Sequence, residues 1–146
     1  MDIRTYQNSD EASVVRLWEE CGLVRSWNDP HNDIQRKLSV QPEMFLVGLL
    51  DGELIASVMA GFDGHRGWVN YLAVAARYRG RGFGRTLMQL VENELKGMGR
   101  PKLNVQIRSS NAAVVAFYER LGYAEDKTVS LGKRLISDEH TERSET

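Results

Sequence analysis

The feature that most constrains this chain is a run of alternating arginines and glycines, RYRGRGFGR at residues 77–85, between two apolar segments of different periodicity. The segment before it, WVNYLAV at 68–74, is a compact apolar run typical of a strand. After it, apolar residues recur at i, i+4, i+7 and i+8 through residues 83–98, which predicts a long amphipathic helix. The sequence therefore predicts a strand, a glycine-rich turn and a helix in immediate succession.

The other apolar segments around this unit predict a mostly antiparallel sheet. An Asp-Gly pair at 51–52 separates apolar runs at 44–50 and 54–62, which is a strong hairpin signal. The run at 68–74 continues this meander. Alternating apolar residues at 102–107 predict a further strand, and the helical crossover makes it parallel to the strand at 68–74.

The remaining segments complete the predicted element order, β-α-α-β-β-β-α-β-α-β. Helical spacing of apolar residues predicts helices over 10–21, 31–40 and about 114–121. A first strand is predicted at 2–6 and a last strand at 128–136. The fold class is therefore α+β with a mixed, mostly antiparallel sheet.

Length and charge bound the number of domains and the class of partner. The chain of 146 residues is predicted to form a single domain over 1–136. Residues 137–146, SDEHTERSET, contain no apolar residue and are predicted to form a disordered tail. The formal net charge of -1 argues against a strongly basic nucleic-acid-binding surface.

Cysteine and histidine usage limits the chemistry further. The single cysteine, Cys21, cannot form an internal disulfide, and its position on an apolar helix face favours a core role over a nucleophilic one. Three scattered histidines offer no metal-ligand pattern, so no metal is expected. The sequence lacks an apolar run of about 20 residues and an apolar N-terminal signal region, so no membrane contact and a cytoplasmic location are predicted.

The glycine-rich turn is suited to bind an anion. A helix N-terminus carries unpaired N–H groups and a partial positive charge, and glycines let the backbone approach a phosphate closely. Arginines at 77, 79, 81 and 85 add charged donors. The P-loop pattern is absent, and the GxGxG spacing differs from the GxGxxG of dinucleotide-binding proteins. A purely structural turn with solvated arginines is the alternative.

Two motifs resemble those of the GNAT superfamily of N-acetyltransferases. VAARYRGRGFG at 74–84 is similar to the acetyl-coenzyme A motif, and NAAVVAFYERLGY at 111–123 is similar to the second family motif. The resemblance covers about residues 2–136 and implies a three-layer α/β/α GNAT fold with one splayed parallel strand pair. WNDP, DGHRG and SLGKRLI further resemble the small bacterial YpeA-like branch. One strand is predicted after residue 122, where the family usually has a hairpin.

The resemblance implies that acetyl-coenzyme A binds where the parallel strands splay and donates its acetyl group directly to a primary amine, without a covalent enzyme intermediate. Tyr118 would be the acid that protonates the departing thiolate, since a tyrosine pKa near 10 exceeds a thiol pKa near 8.5. Asn111 is predicted both to cap its helix and to contact the cofactor. The implied cofactor-binding residues are Leu72, Ala73, Val74, Arg79, Gly80, Arg81, Gly82, Phe83, Gly84, Arg85, Asn111, Phe117 and Tyr118.

The acceptor site is predicted around the 21–33 segment, the 62–67 connection and the strand at 68–74. Aromatic rings beside an acid could hold an amine cation, although the roles of loop anchor for Trp27 and helix cap for Asp29 are favoured over it. Some family members carry a glutamate as base where Gln106 stands here, so Asp63, His65 or a water chain through Tyr71 remain candidates. The candidate acceptor residues are Trp27, Asp29, Asp63, His65, Trp68, Asn70 and Tyr71.

Two other functions compete with acetyl transfer to a small-molecule or protein amine. The same fold could bind acyl-coenzyme A as a non-catalytic sensor, which the lack of an obvious base favours. The arginine-rich turn could bind nucleic acid, but the near-neutral charge and the absence of interleaved aromatic residues argue against it. A homodimer is a further expectation for this fold.

Overall fold

The computed structural model describes residues 1–138 and contains, within them, a five-stranded sheet in the order β1-β2-β3-β4-β5. The neighbouring strands are antiparallel from β1 to β4, and β4 and β5 are parallel. This is the predicted mixed α+β arrangement. The strands are β1 (Asp2–Thr5), β2 (Phe45–Leu50), β3 (Glu53–Phe62), β4 (Gly67–Val74) and β5 (Leu103–Val105). The helices are α1 (Glu11–Glu20), α2 (Pro30–Leu38), α3 (Phe83–Gly97) and α4 (Ala112–Arg120).

The meander at the centre of the sheet follows the turn chemistry of the sequence. Asp51 and Gly52 both have positive φ, 51° and 79°, as a two-residue hairpin turn requires. The turn sets the register of β2 against β3, so that Leu50 lies opposite Glu53. The predicted hairpin is confirmed.

Helices cover both faces of this sheet and give it three layers. On one face, Trp18 of α1 is fully buried and contacts Ser57 of β3. On the other face, α3 packs so closely on β4 that a Cβ at Gly67 would lie 2.6 Å from Leu95. The apolar stripe of α3 that the sequence predicts is buried on this side, at Leu87, Met88, Val91 and Leu95.

A β-bulge interrupts β4 at Tyr71. Ser57 lies opposite Ala73, but Met59 lies opposite Asn70, so β4 carries one extra residue between these pairs. Tyr71 takes up the extra length with a φ of +53°, which is rare for a residue other than glycine. Nothing in the sequence pattern predicts this bulge.

Buried hydrogen bonds hold the bulge in place. The Trp18 indole N–H donates to Ser57 Oγ at 2.8 Å, and the Ser57 hydroxyl donates to the Tyr71 carbonyl at 3.0 Å. The rings of Trp18 and Tyr71 also stack, with centroids 3.8 Å apart. The Tyr71 carbonyl at the bulge therefore has a hydrogen-bond partner, the Ser57 hydroxyl.

The parallel strands β4 and β5 pair over only three positions, ending with Val69 opposite Val105. Residues 70–74 of β4 continue beyond this point without β5 beside them. The strand predicted over 102–107 is thus shorter in the structure, and its shortness opens the sheet on the β5 side of β4.

The predicted last strand over 128–136 is wrong, because this segment forms no ladder pair. Side-chain hydrogen bonds join this part of the chain to β5 and the residues after it: Asn104 donates to Asp126, just before the segment, at 2.6 Å, and Gln106 donates to Ser130 at 2.9 Å. Its apolar residues Val129, Leu131, Leu135 and Ile136 are exposed.

The predicted tail begins inside the part of the chain that the structure describes. Asp138 is buried among charged partners, while residues 139–146 lie outside the described residues. The disordered tail therefore stays a prediction for 139–146.

Removal of the Ser57 hydroxyl is expected to destabilise the fold. Ser57→Ala would leave the Trp18 N–H and the Tyr71 carbonyl without partners in the core, which costs about 1–3 kcal/mol in the free energy of unfolding. Urea unfolding measures this loss. Ser13→Ala, on the exposed face of α1, is the control and should change stability by about 0.5 kcal/mol or less. Equal stability of the two variants would contradict the role of Ser57.

Candidate functional site

The end of β4 that has no β5 beside it lies next to the first turn of α3, because a Cβ at Gly84 would be 3.8 Å from the Val74 side chain. Gly80 and Gly82 have φ values of +80° and +83°, and Gly82 is the residue that precedes α3. No side chain caps this helix, so its first N–H groups stay available to an anion. A phosphate-bearing ligand therefore fits the end of the opening.

The arginines of this turn have different partners. Arg77 forms an ion pair with Glu53, and its guanidinium lies 5.0 Å from the ring centre of Tyr78. Arg79 folds back, donating from Nε to the Val74 carbonyl at 3.0 Å. Arg81 and Arg85 are exposed beside the helix N-terminus, and the Arg81 guanidinium lies 5.3 Å from the ring centre of Tyr78. Three of the four arginines thus have partners within the chain, which weakens the nucleic-acid hypothesis.

Cys21 lies next to this turn and has structural partners. Its Sγ is 3.5 Å from the Val74 carbonyl and accepts from Arg79 Nη2 at 3.3 Å. The side chain is half-buried and packs against the core. This placement is consistent with the predicted core role.

Helix α4 closes the opening from the side of the second motif. A Cβ at Gly84 would lie 3.1 Å from the Phe117 ring, so the two motifs touch at a position where glycine fits best. Asn111 caps α4 by accepting from the Val114 N–H at 3.3 Å, as predicted. The Tyr123 hydroxyl donates to Glu92 at 2.6 Å and ties the end of α4 to α3.

Tyr118 is the buried residue of α4. Its side chain lies edge-on between Phe117 and Tyr123, with centroid distances of 5.1 and 5.5 Å. Burial raises the pKa of Tyr118 to about 12. The hydroxyl therefore keeps its proton at neutral pH and can act as a donor.

A second cavity, of ≈ 490 Å³, lies between α2 and strands β3 and β4. Of the candidate acceptor residues, Asp63, Trp68, Asn70 and Tyr71 line it. Further lining comes from Asp33, Arg36, Lys37, Val40, Gln41, Met59, Ala60, Gly61 and Phe62. This cavity is the candidate acceptor site.

The other three candidates do not line the cavity. Trp27 is 44% exposed, with the Arg108 guanidinium 4.6 Å from its ring centre. Asp29 caps α2 by accepting from the N–H groups of His31 and Asn32. His65 belongs to the turn before β4, where its N–H donates to Asp63. For Asp29, the structure supports the helix-cap role.

Asp63 is poorly suited to accept a proton. It accepts from the N–H groups of His65 and Arg66 and from the Trp68 indole. These bonds lower the pKa of Asp63 to about 2, with the backbone donors as the main cause. The carboxylate thus stays ionised and serves to shape the turn.

The sequence analysis missed a polar network at the end of the Tyr71 side chain. The Tyr71 hydroxyl donates to Asp33 at 2.5 Å and accepts from Asn28 at 2.5 Å. Burial, with the bond to Asp33 as a second cause, raises the pKa of Tyr71 above its usual value. The WNDP segment and the polar side of α2 supply these partners, but their approach to β4 becomes visible only in the folded chain.

A buried carboxylate links this network to the C-terminal segment. The Asp138 side chain is 1% exposed and forms two hydrogen bonds with Arg36, both at 2.7 Å, and an ion pair with Arg134 at 2.9 Å. Arg36 also donates to Asp33 at 2.9 Å. Arg36 and Asp138 are 102 positions apart, so no local sequence signal predicts the contact.

The comparisons with known proteins agree with this geometry. Residues 11–123 match the acetyltransferase (GNAT) family. The chain belongs to the GNAT family of acetyltransferases. It is an N-acetyltransferase enzyme by family and catalyses acyl transfer.

Individual relatives of this GNAT chain share its length and fold. An acetyltransferase of Yersinia enterocolitica is 50% identical over 139 residues, which cover 95% of this chain and 99% of the relative. PaiA N-acetyltransferase of Thermoplasma acidophilum, solved in complex with coenzyme A, has a TM-score of 0.76, with 17% identity over 88% of this chain and 92% of that one. Ribosomal-protein-alanine N-acetyltransferase of Brucella melitensis has a TM-score of 0.67, with 24% identity over 84% and 83% of the two chains.

Residues 1–138 of the GNAT chain lack a metal-binding side-chain cluster and a membrane-spanning helix. Within this range, no group of three or more His, Cys, Asp or Glu side chains is arranged to hold a metal ion. No helix in the same range has the length and apolar character needed to cross a membrane.

The Asp138 contacts are expected to stabilise the GNAT fold in a pH-dependent way. Pairing with Arg36 lowers the pKa of Asp138 in the folded state, so its stabilisation is present above the unfolded pKa of about 3.9. It is lost as the pH falls from there towards the lower folded pKa. Asp138→Asn should therefore lower the thermal unfolding midpoint at pH 7, and the difference from the parent protein should shrink below about pH 4.

The control for this prediction is Asp2→Asn, on the exposed side of β1. It should leave the midpoint unchanged across the same pH range. A difference between Asp138→Asn and the parent protein that is constant from pH 7 to strongly acidic pH would contradict the ion-pair account.

Proposed function

We propose that the protein is an acetyl-coenzyme A-dependent N-acetyltransferase that transfers the acetyl group to a primary amine by direct attack. The observation that carries this proposal is the gap between β4 and β5, which ends at the uncapped N-terminus of α3. The coenzyme A complex of a structural neighbour at TM-score 0.76 supports the choice of ligand.

The residues around the gap suit the two ends of this ligand. Backbone groups of residues 72–74 lie where β4 has no β5 beside it, so they are the proposed partners of the pantetheine and the thioester carbonyl. The Arg79 N–H already donates to the Ala76 carbonyl, so the N–H groups of residues 80–85, with the side chains of Arg81 and Arg85, would hold the pyrophosphate. The close contact of Gly84 with Phe117 keeps α4 beside this turn.

The chain's own groups then account for the proton that the leaving group needs. The amine nitrogen forms a bond to the thioester carbon, the carbon–sulfur bond breaks, and Tyr118 donates its proton to the departing thiolate. The raised pKa of Tyr118, about 12, keeps that proton available across neutral pH. Tyr118 regains a proton when the new amide nitrogen loses its excess proton.

Three further expectations stay proposals. The acceptor enters the cavity between α2 and strands β3 and β4, and a small-molecule amine or a protein amine could carry the reacting group. A cytoplasmic location and a homodimer stay predictions from the sequence. The non-catalytic sensor is the competing function, and release of coenzyme A thiol distinguishes it from the transferase.

Tyr118→Phe tests the proposed chemistry. Loss of the acid should lower kcat by about 10²- to 10⁴-fold, while the affinity for acetyl-coenzyme A stays unchanged. Thiol release with a panel of amines measures kcat, and calorimetric titration measures the affinity.

A matched control for this variant is Tyr6→Phe. Tyr6 and Tyr118 are each 6% exposed, burial raises the pKa of both to about 12, and the Tyr6 hydroxyl has no hydrogen-bond partner among the described residues. Tyr6→Phe should keep full turnover. Equal kcat values for Tyr118→Phe and the parent protein would refute the assignment of Tyr118.

A further inference from the structure

The cavity between α2 and strands β3 and β4 holds a carboxylate that neither the cofactor nor the leaving group requires. Asp33, on the first turn of α2, lines this cavity and has a side chain that is 24% exposed. The Asp33 carboxylate accepts a hydrogen bond from the Tyr71 hydroxyl. It therefore lies at the hydroxyl end of the Tyr71 side chain, away from the β4 backbone. What Asp33 can bind there follows from its partners.

The partners of Asp33 fix its orientation and leave it accessible. Asp33 Oδ2 accepts from the Tyr71 hydroxyl at 2.5 Å and from the Asn28 amide at 3.4 Å. Asp33 Oδ1 accepts from Arg36 at 2.9 Å. Each carboxylate oxygen has more than one acceptor position, so Oδ1 can accept a further donor from the cavity.

The two cationic side chains of the cavity already have acceptors within the protein, Arg36 in both Asp33 and Asp138 and Lys37 in a backbone carbonyl. Arg36 directs two hydrogen bonds to Asp138 and one to Asp33. Lys37 donates to the Ala60 carbonyl at 2.5 Å, and burial lowers its pKa. Asp138 thus takes two of the three Arg36 hydrogen bonds, and the Asp33 carboxylate, which takes the third, stays 24% exposed in the cavity lining.

The rest of the cavity wall suits a short alkyl chain. Val40, Met59 and Phe62 contribute apolar surface, and the Trp68 ring is held in place by its bond to Asp63. Asp63, ionised and bonded to neutral donors, adds a second negative charge to the lining. Apolar walls with a fixed carboxylate at one end match an aliphatic chain that carries a positive charge.

The position of Asp33 determines whether it would bind the reacting amine of the acceptor or a second cationic group. The reacting amine must reach the thioester, which the proposed function places at the backbone of residues 72–74. The Tyr71 ring separates that backbone from Asp33. The attacking nitrogen and Asp33 are therefore at different ends of the acceptor.

We propose that the acceptor is a primary amine with a second cationic group, and that Asp33 binds this second group in the cavity. The inference rests on the proposed acetyl transfer and specifies its substrate class. Arg36 and Tyr71 position Asp33 by direct hydrogen bonds, and Asp138 positions Arg36.

The test compares two amines that differ in one charge, butane-1,4-diamine and butylamine. The parent protein should acetylate the diamine with a higher kcat/KM, by about 10- to 100-fold, which is the range for one charge-assisted hydrogen bond. Asp33→Asn should lower kcat/KM for the diamine to the level of butylamine and leave the value for butylamine unchanged. The affinity for acetyl-coenzyme A, measured by calorimetry, should be the same in both proteins.

The matched control is Asp126→Asn, which removes an exposed carboxylate beside Lys102, outside the cavity. It should keep the preference for the diamine. Equal kcat/KM values for the two amines in the parent protein would overturn the inference, and so would an equal loss for both amines in Asp33→Asn. Absence of turnover with either amine in a protein that binds acetyl-coenzyme A would also overturn it. Absence of acetyl-coenzyme A binding would instead refute the proposed function.

Discussion

The architecture of both sites depends on the buried hydroxyl of Ser57. It accepts from the Trp18 indole and donates to the Tyr71 carbonyl, and so it connects α1, β3 and β4 at one point. The carbonyl that it binds belongs to the residue with positive φ in the bulge. A bulge bends its strand and increases the local twist. The Ser57 hydroxyl therefore stabilises the bend of β4 from inside the core.

Two features of the site adjoin this bulge, one towards β5 and one towards α2. On the β5 side, pairing ends at Val69, and residues 70–74 line the opening that reaches α3. On the α2 side, the Tyr71 ring stacks on Trp18 and extends its hydroxyl to Asp33. One strand thus carries the proposed cofactor surface and the wall of the proposed acceptor cavity. A ternary complex with direct transfer needs this adjacency.

Local pattern was enough to predict much of this fold. The Asp-Gly turn, the alternation in the meander and the helical spacing after residue 82 are short-range signals, and the structure contains each element. The glycine-rich turn was also predictable, because Gly80 and Gly82 occupy positive-φ positions that glycine adopts most readily. The contact between Gly84 and Phe117 follows from two motifs that the sequence displays.

The missed features depend on long-range contacts. Tyr71 adopts a positive φ because Ser57 and Trp18 stabilise it, and its residue type gives no sign of this. Asp138 is buried because Arg36 reaches it from α2, although its neighbours in sequence are polar. The segment at 128–136 has the composition of a strand, yet it forms no ladder with β5.

The most direct test of the account is calorimetric titration with acetyl-coenzyme A of the parent protein, Gly82→Val and Gly99→Val. Both glycines have positive φ and open space for a side chain, and they lie at opposite ends of α3. The account predicts micromolar binding to the parent protein and to Gly99→Val, with loss of binding in Gly82→Val, because only Gly82 shapes the cradle. Absence of binding to the parent protein, or equal affinity in Gly82→Val, would contradict it.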